Sequence, residues 1–261
     1  MQAMTFVRAL VLASLLCAAA HAVGAEPVGV VLMHGKWGNP GKNIVTVELA
    51  LKGAGFRVVS KEMAWSDRRA YDMSLDQVMT ELEGEVAALR AAGAAKIVLG
   101  GQSFGANMAL AYGARHPDVD GVMVLAPGHS PERFSRDPAM AQSLDKARAM
   151  VTAGKGEQIA NFQDINQGRT RQVSAKAAVY LSFFDPEGGA VMPRNAARLS
   201  SHTALLWVIG SGDPLSSAGR AYAFDRAPAN PHSAYYTVQA DHQDTPAAAR
   251  AIVVDWLKGL Q

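Results

Sequence analysis

Cysteine is nearly missing from this sequence: Cys17 is the only one in 261 residues, and it sits in an apolar N-terminal stretch. A disulfide framework, a thiolate nucleophile and a cysteine-based metal site are thereby excluded from the rest of the chain, whose stability must come from its core. Excess charge is also lacking. The 25 Lys and Arg residues nearly balance 23 Asp and Glu, for a net of +2, and no basic block suggests a surface that tracks phosphates. Nucleic acid is therefore not an expected partner. There are no internal repeats and no low-complexity segment beyond the alanine-rich start. With 49% hydrophobic and 18% charged residues, the chain can bury one large domain, with or without an insertion.

A membrane-spanning run is lacking too. The longest apolar stretch, Ala9 to Ala20, is shorter than the ~20 residues a spanning helix needs. Arg8 precedes it, and two small-x-small sites follow, Ala20-His21-Ala22 and Val23-Gly24-Ala25. This layout predicts a secretory signal peptide over 1–25 and an exported protein, periplasmic or secreted, with no stable membrane span after its removal. Cys17 is read as part of the apolar region, because Ser14-Leu15-Leu16 lacks the small residue expected before a lipidated cysteine.

What is present from residue 26 onward is alternation of strand and helix. Strands are expected at 28–34, 56–63, 96–100, 121–126, 204–210 and 234–239, most of them β-branched runs apolar on both faces, as suits a parallel sheet covered by helices. Ile44, Val47 and Leu51 are spaced for a helix, and Ser74 with Gln77 forms a capping-box pair ahead of Met79, Leu82, Val86 and Leu89. Further helices are expected at 104–114 and from Thr245, the last burying Ala249, Ile252, Val253 and Trp256. The βαβα order implies an α/β fold with a doubly wound, mostly parallel sheet. Residues 127–203 interrupt it with five prolines and a polar, weakly helical middle, which predicts a helical lid or cap inserted between the fourth and fifth strands.

In open parallel sheets, ligands sit beyond the carboxyl ends of the strands. Four loops there carry reactive groups: His34-Gly35-Lys36-Trp37-Gly38 after the first strand, Gly101-Gln102-Ser103-Phe104-Gly105 after the third, Gly210-Ser211-Gly212-Asp213-Pro214 after the fifth, and Asp241-His242-Gln243-Asp244 after the sixth. A serine in a sharp strand-to-helix turn is lifted above the sheet, and a helix N-terminus favours developing negative charge.

These residues together resemble the α/β-hydrolase family, whose nucleophile elbow is G-x-S-x-G between a strand and a helix, with acid and histidine following in the order Ser, Asp, His. The resemblance runs from about Val28 to Leu260. It implies Ser103 as nucleophile, His242 as general base and Asp213 as the acid that orients the imidazole, with Asp185 in Phe-Phe-Asp-Pro-Glu-Gly as an alternative acid. The other mature-chain histidines, His34, His116, His129, His202 and His232, are expected to be structural or surface groups. The oxyanion donors implied are the peptide N–H of Phe104 and one from Lys36 or Trp37, this loop departing from the family's H-G-x-G or H-G-G-G. The expected activity is hydrolysis of a carboxylic ester or thioester of a small molecule through an acyl-enzyme, without metal or organic cofactor. The same triad also serves thioesterases, amidases and acyltransferases, and a non-catalytic binding protein on this scaffold is the alternative class. Phe134, Met140, Phe162, Tyr180, Leu181, Phe183 and Phe184 are candidates to line an acyl pocket, with lid core as their other fate. Lys36, Arg68, Arg69 and Arg133 are candidates to meet a substrate carboxylate, with solvated surface charge as theirs.

Overall fold

A computed structural model describes residues 27–261; the expected signal peptide, with Cys17, lies outside the described residues. The first strand, β1 (Val28–Met33), is buried along its whole length. Val28, Val30 and Leu32 enter one apolar cluster, and Val31 and Met33 enter another on the opposite face. Burial on both sides is what a central parallel strand requires, and it explains the continuous apolar run. Then follow α1 (Val45–Gly53), β2 (Arg57–Val59), α2 (Leu75–Ala91), β3 (Lys96–Ser103), α3 (Phe104–Gly113) and β4 (Gly121–Pro127). The inserted segment holds α4 (Pro131–Phe134), α5 (Pro138–Thr152), β5 (Ile159–Asn166), β6 (Arg169–Lys176), α6 (Ala177–Phe184) and α7 (Met192–Ala197). The main domain resumes with β7 (Ala204–Gly210), β8 (Ala234–Val238), α8 (Thr245–Ala248) and α9 (Arg250–Lys258).

The six strands of the main sheet are all parallel, in the order β2-β1-β3-β4-β7-β8. The order reverses between β1 and β3, so the loops after those two strands diverge and open a crevice at their carboxyl ends. That crevice is bounded by the loop beginning at His34 and by Ser103. One face of the sheet packs on α1 and α9 through Val47, Leu51, Val253 and Leu257; the other packs on α2, α3 and the inserted segment. The capping box of α2 forms as expected, with Ser74 Oγ accepting from Gln77 N–H and Gln77 Oε1 accepting from Ser74 N–H.

Three elements differ from expectation. Strand β2 stops at Val59, and the Met63 N–H expected in its ladder donates instead to His34 Nε2 at 3.0 Å. The C-terminal helix is two helices joined at Ala249, with Leu257 buried and Trp256 only half-buried. The insertion is not purely helical: β5 and β6 form an antiparallel hairpin from Ile159 opposite Lys176 to Asn166 opposite Arg169. Gln167 and Gly168 close it with φ of 50° and 73°, the paired positive values that a tight two-residue hairpin turn demands.

Candidate active site

Ser103 is the last residue of β3 and has φ 57°, ψ −116°, a conformation that costs a non-glycine residue about 1–3 kcal/mol. Phe104 begins α3, so its N–H has no acceptor within the helix. The turn is this tight because both flanking glycines lie against β1: a Cβ on Gly101 or Gly105 would run into the carbonyl oxygen of Met33. Ser103 is 5% exposed, at the crevice floor.

The loops after β7 and β8 bring Asp213 and His242 together. His242 Nδ1 donates to Asp213 Oδ2 at 2.6 Å, with both side chains buried. This fixes the tautomer and leaves Nε2 as the nitrogen with its lone pair; Nε2 is buried and has no hydrogen-bond partner among the described residues. The imidazole and the serine hydroxyl converge on Gly128: a methyl carbon there would lie 2.5 Å from Ser103 Oγ and 3.4 Å from His242 Cε1. Asp185 is elsewhere, accepting from Arg148 Nη2 at 3.1 Å and from the Glu187 N–H. Asp241 Oδ1 caps its own turn through the N–H groups of Gln243 and Asp244.

In the loop after β1, the two donors proposed for the oxyanion separate. The Trp37 N–H donates to the Trp65 carbonyl at 2.9 Å, which corrects the expectation that Trp37 supplies that donor. The Lys36 N–H has no acceptor among the described residues. His34 holds the base of the loop, its Nδ1 donating to Gly35 O at 2.8 Å while Nε2 accepts from Met63 N–H. Trp65, fully buried, donates its indole N–H to His34 O and packs on Phe104, so it is core and not a pocket wall.

Asp164, on β5 of the inserted hairpin, is the residue that sequence reasoning missed. Its carboxylate, 0% exposed, accepts from Lys36 Nζ at 2.6 Å, Trp37 Nε1 at 2.8 Å, Tyr71 OH at 2.8 Å and the Ile165 N–H at 2.7 Å. Burial pulls the Lys36 ammonium below its ordinary range and Asp164 opposes that pull, while burial pushes the Tyr71 phenol well up. The network ties the insertion to the loop after β1. His129 is the second surprise. It stacks on Phe104 with ring centroids 3.7 Å apart, donates Nε2–H to Phe183 O, and is held well below its ordinary pKa by burial and then by the Lys36 charge.

Two large hollows meet at this centre. A cavity of about 400 Å³ over Ser103 is lined chiefly by apolar surface, with Pro127, Phe134, Ile165, Pro214 and Leu215, and Lys36 and Arg133 also line it. Of the apolar residues nominated for an acyl pocket, Phe134 alone reaches it; Met140, Phe162, Tyr180, Phe183 and Phe184 are buried core. A polar groove of about 710 Å³ runs past His242 on the other side. Among the four nominated cations, Lys36 pairs with Asp164, Arg68 with Glu62, and Arg69 with Asp72 and Glu81. Arg133 has no ion pair among the described residues.

No protein-family model matches the chain, and no curated relative does. Solved structures do match. A monoacylglycerol lipase from Paleococcus ferrophilus superposes with a TM-score of 0.65 at 18% identity, covering 89% of this chain and 95% of its own. A highly thermostable carboxyl esterase from Bacillus coagulans gives 0.61 at 14% identity, covering 90% and 89%. The thioesterase domain from the curacin biosynthetic pathway gives 0.54 at 14% identity, covering 89% and 91%. The all-parallel sheet, the elbow and these likenesses define the class: the chain has the α/β-hydrolase fold.

Proposed function

We propose that the protein is a serine hydrolase that cleaves carboxylic esters of small molecules through an acyl-enzyme. The observation that carries this reading is the buried Asp213–His242 pair, with its unpartnered Nε2 beside a serine in a strained strand-to-helix turn. Ser103 Oγ attacks the ester carbonyl carbon as His242 Nε2 takes its proton, and Asp213 stabilises the imidazolium that forms. The negative charge on the carbonyl oxygen is met by the N–H groups of Phe104 and Lys36; losing one such donor typically costs about 10²–10³ in turnover. The intermediate collapses with His242 handing its proton to the leaving alcohol, and water, deprotonated by the same imidazole, then releases the acid. Esterases and a thioesterase among the structural neighbours support a screen that includes both ester types. The signal-peptide layout supports action outside the cytoplasm, and N-terminal sequencing of the exported protein should begin at Glu26.

The test needs no substrate. A fluorophosphonate probe should label the protein at Ser103, located by mass spectrometry, and should leave folded Ser103→Ala unlabelled. Failure to label the folded wild-type chain would overturn the hydrolase reading and leave a binding scaffold in its place.

A further inference from the structure

We propose that the substrate is an ester of an apolar acyl group with a negatively charged alcohol, a specificity that rests on the hydrolase reading above. The two hollows that meet at the centre differ in which catalytic side chain they expose. The apolar cavity is lined by Ser103, whose Oγ accepts the acyl group, and not by His242. The polar groove is lined by His242, which must reach the departing oxygen to protonate it, and not by Ser103. Acyl and alcohol are thereby assigned to separate sides.

The chemistry of the alcohol follows from the groove walls. Lys42 and Arg169 line it, and neither has an ion pair among the described residues. Arg171 is paired with Asp67 and stacked 4.0 Å from the Trp37 ring, so it forms wall and not an unanswered charge. The one other acid there, Asp241, already caps two N–H groups with Oδ1. Amide groups of Asn43 and Gln243, hydrogen-bonded to each other, complete the wall beside His242. Lys42 and Arg169 against the single unpaired carboxylate of Asp241, with neutral amides between, leave the groove net positive, which favours a carboxylate or phosphate on the alcohol over a neutral or cationic one.

The experiment compares kcat/KM for 4-carboxyphenyl butanoate and 4-carbamoylphenyl butanoate, with 3-phosphoglyceryl and glyceryl butanoate as a second pair that separates phosphate from carboxylate. The wild-type protein should prefer the anionic member of at least one pair by about two- to thirtyfold, the range that two solvated ion pairs support, and the preference should shrink as salt is added. In the Lys42→Gln, Arg169→Gln double variant the ratio should fall toward one. A ratio near one in wild-type protein that still labels at Ser103 overturns this inference alone. Absence of the label overturns the hydrolase reading with it. A preference that survives the double variant but collapses in Arg133→Gln places the charge on the acyl side and likewise overturns the assignment.

Discussion

At the scale of single residues, the 2.6 Å contact between Asp213 and His242 sets a specific demand. Asparagine at 213 keeps the shape, but its amide can present a donor to Nδ1, which then holds the proton-free tautomer and leaves Nε2 protonated and unable to act as base. Asp213→Asn should therefore lower kcat by about 10⁴-fold with little change in KM or in thermal stability, measured on any ester found in the screen. Near-wild-type turnover in that variant would return Asp185 or another acid to consideration. The proximity of Asp213 and His242 was legible because both lie in loops that follow neighbouring parallel strands, β7 and β8, as Ser103 lies at the end of β3. Asp164 was not legible, since an aspartate in a polar segment reads as surface until its four donors are known. Trp37 was legible as part of the loop but not as a donor; the Trp65 carbonyl that engages it arrives from a distant turn.

At the scale of elements, two contacts decide whether the site is held. The elbow rests on β1 without room for a methyl group, so Gly105→Ala must displace the Met33 carbonyl or the helix start. It should cost about 1–3 kcal/mol or more in a denaturant titration and reduce Ser103 labelling more than the stability loss accounts for. A variant as stable and reactive as wild type would show that the turn has slack. The hairpin of β5 and β6 is the second contact. Its alternation was obscured because the inward position at 164 is a carboxylate and not an apolar side chain, and because the flanks are polar; the Gln167-Gly168 turn was the available signal. Asp164→Ala strands a buried ammonium, a change that costs about 3–5 kcal/mol when one partner of a buried pair is removed. The Lys36→Met, Asp164→Leu double variant should recover part of that loss in the same titration. If the single variant is neutral, the latch between insertion and loop contributes nothing to folding.

At the scale of the whole molecule, the site and the fold share a dependence on neutral histidine. His34 and His129 both titrate below the ordinary 6.5, each chiefly through burial. Around His34 the Gly35 carbonyl and Glu62 pull the other way and Arg69 adds to the lowering; around His129 the Lys36 charge adds to it and the Phe183 carbonyl opposes. Protonating His34 would also set its Nε2–H against the Met63 N–H that it now accepts. In the unfolded chain both imidazoles take up protons as pH falls through about 6.5, whereas in the folded chain they resist until lower pH. The unfolded state then binds more protons, so stability falls with falling pH by up to about 1.4 kcal/mol per unit for each histidine. Urea midpoints should drop between pH 7 and pH 5, above the range where most carboxylates titrate, and the slope should flatten by about one proton's worth in His129→Phe. A flat profile in the wild-type protein would mean that one or both rings reach water before the chain unfolds. Under the proposed mechanism such opening would matter for turnover as well, because His129 is stacked on Phe104, the proposed oxyanion donor, and His34 anchors the loop that carries Lys36.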